Sequence, residues 1–499
     1  MAVKTLSISD FTGGRNSKAS SPLLAENESL DQWNTWCENN ALIKRRAWTT
    51  IDSSLVGEAN HIVKMCVTSL GANGANRLVM YGRHGSTSSY VAHLSYSDNG
   101  TSLAWCEAAT QTALSGASVP FMGMFNAKLY VSDGVNTVLS YDGATVSTIA
   151  GFPKYAKCAV HKNYMFAAKG RIVYWSTVND CETTWPTNNF HTINSDAGDR
   201  IIAIKSTGNG LLIFMQHSMY LFVGDVFDPI DAQYYLQKID TPASFNFLFG
   251  QTIVVHQGVL KFLAVDGFYA YTGGTQIIKI SDPIQPDIDS LLSTSVYDTT
   301  NDLELPDKFP KAFVWKNSMY CSVLVSTIRR IIMQDERGKW WWFVDNSYAA
   351  SPLEAVSCNL GAGEKLFGGL PGYSFFMTLD TGYNFTPPTG TASAMTSYWI
   401  SKDFNFPNET RFMYADIFLK KQTAVATLGT LVFSYSIDGA TFITANVDMM
   451  NGVGTILKKR VPIMRIGRSI RVKVENSELG VTFEVYKINV SYEMTGAMR

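Results

Sequence analysis

The chain has 499 residues, 46% of them hydrophobic and 17% charged, with 41 basic side chains set against 42 acidic ones. This composition excludes a disordered chain. A net charge of −1 excludes the broad basic field by which sequence-reading proteins hold nucleic acid, though not a neutral conduit for it.

Residues 1–58 open with FTGGRNSKASSPLL, an acidic stretch and then Lys44, Arg45 and Arg46. The segment is loop-like, with Gly13-Gly14 and then Ser21-Pro22, and cannot bury a core alone, so it is expected to lie extended against other elements and to help bind a neighbour. Deletion of residues 1–50 is expected to impair assembly and leave the propeller folded. The N-terminus lacks the apolar core of a secretory signal, so none is expected. No stretch reaches the roughly 18 apolar residues of a membrane helix.

From residue 59 to about 385 a hairpin unit recurs. Its copies are NRLVMYGRHG, NAKLYVSDG, KNYMFAAKG, GNGLLIFMQHSMYLF, QGVLKFLAVDGFYAY, KNSMYCSVLV and EKLFGGLPGYSFFM. The steps between them are roughly 50, 36, 46, 49, 59 and 48 residues, the spacing of β-propeller blades with several short strands each. Six or seven blades are expected. The longest step contains SDPIQPDIDSLL, which reads as one short helix. The insertion 281–310 is therefore the first candidate for a gate or docking loop. In Lys339-Trp340-Trp341-Trp342-Phe343, strand alternation places Trp340 and Trp342 on one face and Trp341 and Phe343 on the other.

Pro387-Pro388 and the Gly/Thr/Ser-rich stretch around them mark a linker, 386–394. From 395 to 499, long alternating strands such as GTLVFSYSIDG and VTFEVYKINVSYEM predict an antiparallel β-sandwich. The expected fold is thus all-β, an irregular propeller followed by a sandwich.

The seven cysteines form no CxxC pair and are read as reduced thiols. The seven histidines show no ligand spacing, so neither a metal nor another cofactor is expected, and no catalytic residue is assigned. SYSDNGTSLAW and SIDGATF resemble the Asp-box turns of sialidase propellers without matching their full spacing. A glycosidase would need two carboxylates across a cleft. The residues singled out for a subunit interface or DNA proximity are Lys44, Arg45, Arg46, Lys458, Lys459 and Arg460, the last three flanked by Arg465, Arg468 and Arg471.

Three stretches together resemble the tail-hub or nozzle proteins of short-tailed bacteriophages, the packaged-DNA-stabilisation type. They are LDQWNTWCENNALIKRRAW, with Asn34, Arg45 and Arg46; RRIIMQDERGKWWWF; and KKRVPIMRIGRSIRVKVENSELGVTFEVYKINVSYEMTG. YWISKDFNF looks like the strand that opens the end domain. Ala47-Trp48 stand where such proteins often have Pro-Gly. The resemblance implies a virion tail protein assembled in the host cytoplasm as a hexameric ring. Portal and adaptor proteins would lie above it, and a fibre, spike or needle below. Double-stranded DNA would pass without base-specific contact during ejection, and this chain would insert into no membrane. The alternative is a glycan-binding or glycan-cleaving propeller protein.

Overall fold

The computed structural model describes residues 3–52, 61–86, 89–106, 114–115, 118–183, 185–195, 198–225, 233–291, 309–325, 328–345, 353–361, 363–369, 376–379, 384–385, 393–422 and 429–495. Among them the regular secondary structure is almost wholly strand. Seven sheets form a propeller, and a ten-stranded sheet forms a sandwich beside it.

The inner strands of the blades are His61–Thr68, Phe121–Phe125, Lys157–His161, Ile201–Thr207, Val254–His256, Lys311–Trp315 and Glu354–Asn359. Every repeat copy recognised in the sequence supplies the next strand outward. Four of the hairpins turn on two residues with positive φ: Asn126-Ala127, Lys162-Asn163, Gln257-Gly258 and Lys316-Asn317. Such turns match the right-handed twist of the strands they join.

Apolar cores fill the blade seams, and one of them runs through the fourth, fifth and sixth blades. Val79, Tyr81, Leu129 and Val131 fill the first seam, Tyr130, Phe152 and Met165 the second, and Phe166, Trp175 and Phe222 the third. Across the next seam the Phe214 and Phe262 rings meet edge to face at 5.1 Å. Ile62, Met80 and Phe367 close the last blade onto the first.

Six blades are built from consecutive strands, and the seventh is not. Its outer strand is β5 (Trp48–Asp52), which pairs with Phe376–Leu379 so that Trp48 lies opposite Leu379. The ring is therefore closed by a strand from the opposite end of the chain. Two glycines permit that seam. A Cβ on Gly368 would lie 2.7 Å from the Trp48 ring, and one on Gly369 would lie 2.3 Å from Ile62.

The segment before β5 is more regular than its composition suggests. β1 (Lys4–Ile8), β2 (Ser29–Trp33), β3 (Thr35–Glu38) and β4 (Ala41–Lys44) all join the sandwich sheet. β1 and β4 pair with Glu484–Met494, and β2 pairs with Ser397–Ser401. The sequence division at 58/59 thus runs past two strand exchanges. The expectation that residues 1–50 could be removed from a folded propeller conflicts with β5, because local composition carries no sign of a pairing partner so distant in sequence.

The sandwich is organised by Ile456–Asn476. Its first half pairs with Phe404–Lys420, and its second half lies between Ser397–Ser401 and Thr430–Ile437. One strand therefore serves both layers. Ile417, Leu419, Phe433, Val461, Val472, Val474 and Ile488 fill the space between them.

The tryptophan run lies on the outer strand of the sixth blade, Trp340–Asp345, with the expected alternation. Trp340 and Trp342 enter the core shared with the fifth blade, while Trp341 and Phe343 enter the core shared with the sandwich. The expected short helix is α1 (Gln285–Leu291), preceded by a 3-10 turn at Asp282–Ile284. Most of the proposed gate, 292–308, and most of the linker, 386–392, lie outside the described residues.

Candidate functional site

Two places concentrate charge. The first is the seam where residues 10–46 run between propeller and sandwich. There the backbone N–H of Arg15 donates to Trp340 O at 2.8 Å, and that of Asn34 to Trp342 O at 2.9 Å. The outer edge of the sixth blade is thereby capped, which satisfies groups that an open edge would leave unpaired.

Asn34 is the joint of this seam. It takes positive φ between β2 and β3. Its Nδ2 donates to Thr396 O at 2.7 Å, and its Oδ1 accepts from Arg45 Nε at 2.8 Å. The Arg45 guanidinium also lies over the Phe343 ring at 5.5 Å. Lys44 is buried, and its ammonium donates to Asn476 Oδ1 at 2.9 Å and Val481 O at 3.0 Å. Burial pushes the Lys44 pKa down to about 7.

Lys44 and Arg45 thus face inward, and of that triplet only Arg46 is exposed. Arg46 borders an aromatic cavity of about 70 Å³ lined by Trp36, Trp48, Trp315, Tyr320 and Phe343, with Glu38 and Lys316 at its edge.

The second basic triplet lies in the same sheet. Leu42, Val485, Leu419 and Leu457 are successive partners across four neighbouring strands, so the triplets are three strand spacings apart, about 14 Å. Lys458 and Arg460 both hold Asp416, at 2.9 Å and 2.7 Å. The Arg460 hydrogen bond keeps the Asp416 carboxyl below its ordinary range. Lys459 donates to Asn451 O at 2.5 Å. Arg465 and Arg468 are exposed, whereas Arg471 pairs with Asp403. The two triplets do not merge into one basic patch.

The second place is the propeller axis, a cavity of about 420 Å³ lined by the inner strands. Lys64, on the first blade, reaches Gln251 Oε1 at the entrance to the fifth blade, 2.7 Å away, and so spans the axis. Its ammonium is also 3.4 Å from Glu354 on the seventh blade. Lys311 donates to Val63 O at 2.5 Å and lies 3.5 Å from the same carboxylate. Lys157 donates to Ile201 O at 2.8 Å, and His161 Nδ1 meets Ser206 Oγ at 2.9 Å. These groups are not among the residues singled out from the sequence. The available signal was a lysine on the strand before several repeat copies, in HIVKMCV, KCAV, IAIKS and KAFVW.

Among the described residues no three His, Cys, Asp or Glu side chains converge as metal ligands would. All seven cysteines are free, and burial pushes the Cys66 and Cys358 thiols up to about 11. SYSDNGTSLAW forms a local turn in which Asn99 Oδ1 accepts the Thr101 and Ser102 N–H groups at 2.9 Å and 3.1 Å. No described helix is long and apolar enough to cross a membrane.

No family model and no curated protein matches the sequence. Among solved structures, the chain is similar to the extracellular domain of BT4673 from B. thetaiotaomicron. The identity is 10% and the TM-score 0.43, over 74% of this chain and 45% of that one. PorZ of Porphyromonas gingivalis, a surface component of the type-IX secretion system, is similar at 10% identity and a TM-score of 0.38, over 80% and 46%. An exo-β-1,3-galactanase from Phanerochaete chrysosporium is similar at 7% identity and a TM-score of 0.22, over 77% and 97%. The chain spans less than half the length of the first two. At these TM-scores the likenesses carry no argument about activity.

Proposed function

We propose that the chain is a structural protein of a tailed-phage virion, forming the axial hub or nozzle ring that retains packaged DNA and conducts it during ejection. One observation carries this reading. The two end stretches that carry the resemblance, LDQWNTWCENNALIKRRAW and KKRVPIMRIGRSIRVKVENSELGVTFEVYKINVSYEM, are far apart in sequence but lie in one sheet. The third stretch, RRIIMQDERGKWWWF, packs against that sheet through Trp341 and Phe343. The shared motifs would therefore describe one mechanical unit. Its role is to carry load without chemistry. The ring is a homo-hexamer, and closed rings reuse a single contact between identical neighbours.

Mass photometry and negative-stain microscopy of the purified protein test this reading. A six-membered ring with a central channel supports it, and cryo-electron microscopy of the particle should then place the chain on the tail axis. A stable monomer under all assembly conditions, or a peripheral position in the particle, would overturn it.

A second reading, a glycan-binding or glycan-cleaving propeller, draws on the aromatic cavity beside Arg46. Tryptophan faces suit sugar stacking, and Glu38 is the one carboxylate among the lining residues. Glycoside hydrolysis ordinarily needs a pair. Saturable binding of an oligosaccharide, lost in Trp315→Ala, would favour this alternative.

A further inference from the structure

The axial cavity has an unbalanced lining. Lys64, Lys157 and Lys205 border it, and no carboxylate is among its lining residues. Glu354 stands behind Lys64 and is shared with Lys311. Lys157 is occupied with a backbone carbonyl, and Lys64 with Gln251 and Glu354.

Lys205 differs from these. It projects from Ile201–Thr207, remains open to the cavity, and has no hydrogen-bond or ion-pair partner among the described residues. Its ammonium borders the same cavity as that of Lys64, and the two positive charges repel. Removal from bulk water, with that repulsion added, lowers the Lys205 pKa. The nearby Cys66 and Cys158 thiols offer no compensating charge, because burial raises both of their pKa values.

A concave space with surplus positive charge, here still open to solvent at Lys205, concentrates small anions. The volume suits a small ligand and is at the low end of the range for small-molecule pockets. We infer that the propeller axis holds a small, doubly charged oxyanion of the phosphate class, bound by Lys205 with Lys64 as the second cation. This site is independent of the oligomeric reading above, since one chain supplies the whole lining.

The test uses the full chain and two phosphate sources, inorganic phosphate and adenosine 5′-monophosphate, with chloride at equal ionic strength as reference. Thermal unfolding and titration calorimetry are the readouts. Wild type should bind one anion per chain and unfold at a higher temperature in phosphate than in chloride. Lys205→Met should weaken binding by at least about tenfold and abolish the shift, whereas Lys205→Arg should keep both. In chloride, Lys205→Met should unfold no earlier than wild type, because it removes a cation without a partner. If the methionine variant folds poorly, Lys205→Gln carries the comparison with the same expected loss. A response confined to the nucleotide would assign the site to phosphate esters, and a response to both sources would assign it to free phosphate as well. An equal shift in wild type and Lys205 variants, or no binding of either source by wild type, would overturn the inference.

Discussion

Arg15 grips Asp287 with two parallel hydrogen bonds, Nε and Nη2 each meeting a carboxylate oxygen at 2.8 Å. Asp287 belongs to α1, between the fifth and sixth blades, while Arg15 belongs to the N-terminal segment. The same guanidinium contacts Asp31 on the following strand β2 and lies over the Trp342 ring at 5.3 Å. One side chain thus ties propeller, tryptophan strand and sandwich together.

Arg15→Ala should therefore destabilise the protein by about 2–4 kcal/mol, since it strands the Asp287 carboxylate and leaves Asp31 with the Tyr398 hydroxyl in place of a cation. Arg15→Lys should recover only part of the loss, because an ammonium cannot reproduce the parallel pair. Urea unfolding of the three proteins measures both effects. Equal stability of wild type and Arg15→Ala would show that the seam does not depend on this grip.

Trp341 anchors the seam from the propeller side. Its indole N–H donates to Asp335 at 3.2 Å, and its ring is fully buried against the sandwich. Asp335 Oδ1 also accepts the backbone N–H groups of Arg337 and Lys339, which shapes the turn before the tryptophan strand. Trp341→Ala should cost about 3–5 kcal/mol. Limited proteolysis should then cut first between the two units. A proteolytic pattern like that of wild type would count against this account.

Lys44 gives a dependence on pH. Unfolded, it titrates near 10.5; folded, near about 7. Between these values the unfolded chain holds the extra proton, so this group's contribution to stability rises with pH. The cost of the buried ammonium is fully present below about 7. The stability difference between wild type and Lys44→Met should move toward wild type by on the order of 1 kcal/mol per pH unit across this window. A difference flat from neutral pH to pH 9 would remove Lys44 as the cause.

Gly369 tests the closure of the ring. Gly369→Ala should destabilise by about 1–3 kcal/mol, because the new methyl meets the branched side chain of Ile62 and must displace it. Deleting residues 1–52 should go further and abolish cooperative unfolding, since it removes β5 from the last blade and β1 to β4 from the sandwich. Calorimetry distinguishes these outcomes from an intact propeller, which would keep a sharp transition.

The propeller was legible because its signals are local. Two-residue turns such as Lys162-Asn163 and Lys316-Asn317 sit between alternating strands, and both can be read in a short window. The tryptophan alternation followed from strand geometry alone. The pairings of β1 to β5 were not legible, because a strand's partner leaves no trace in its own composition. Neither was the inward turn of Lys44 and Arg45, which read as a surface triplet until Asn34 and Asn476 were brought beside them. Lys205 and Lys64 belong to blades distant in sequence, so their confrontation exists only once the ring has closed.

The pairing of Trp48 with Leu379 also sets an order of events during synthesis. A ribosome adding roughly 5–20 residues per second needs on the order of 15–70 s to travel from the first partner to the second. Throughout that interval β5 is outside the ribosome with nothing to pair with, and β1 to β4 wait longer still for the C-terminal strands. The blades can form one after another, but the ring latches only when its first-made strand meets one of its last. A nascent chain cut short before residue 376 therefore carries an unclosed circle, with β5 and the Glu364–Gly369 strand both lacking the strand that joins them.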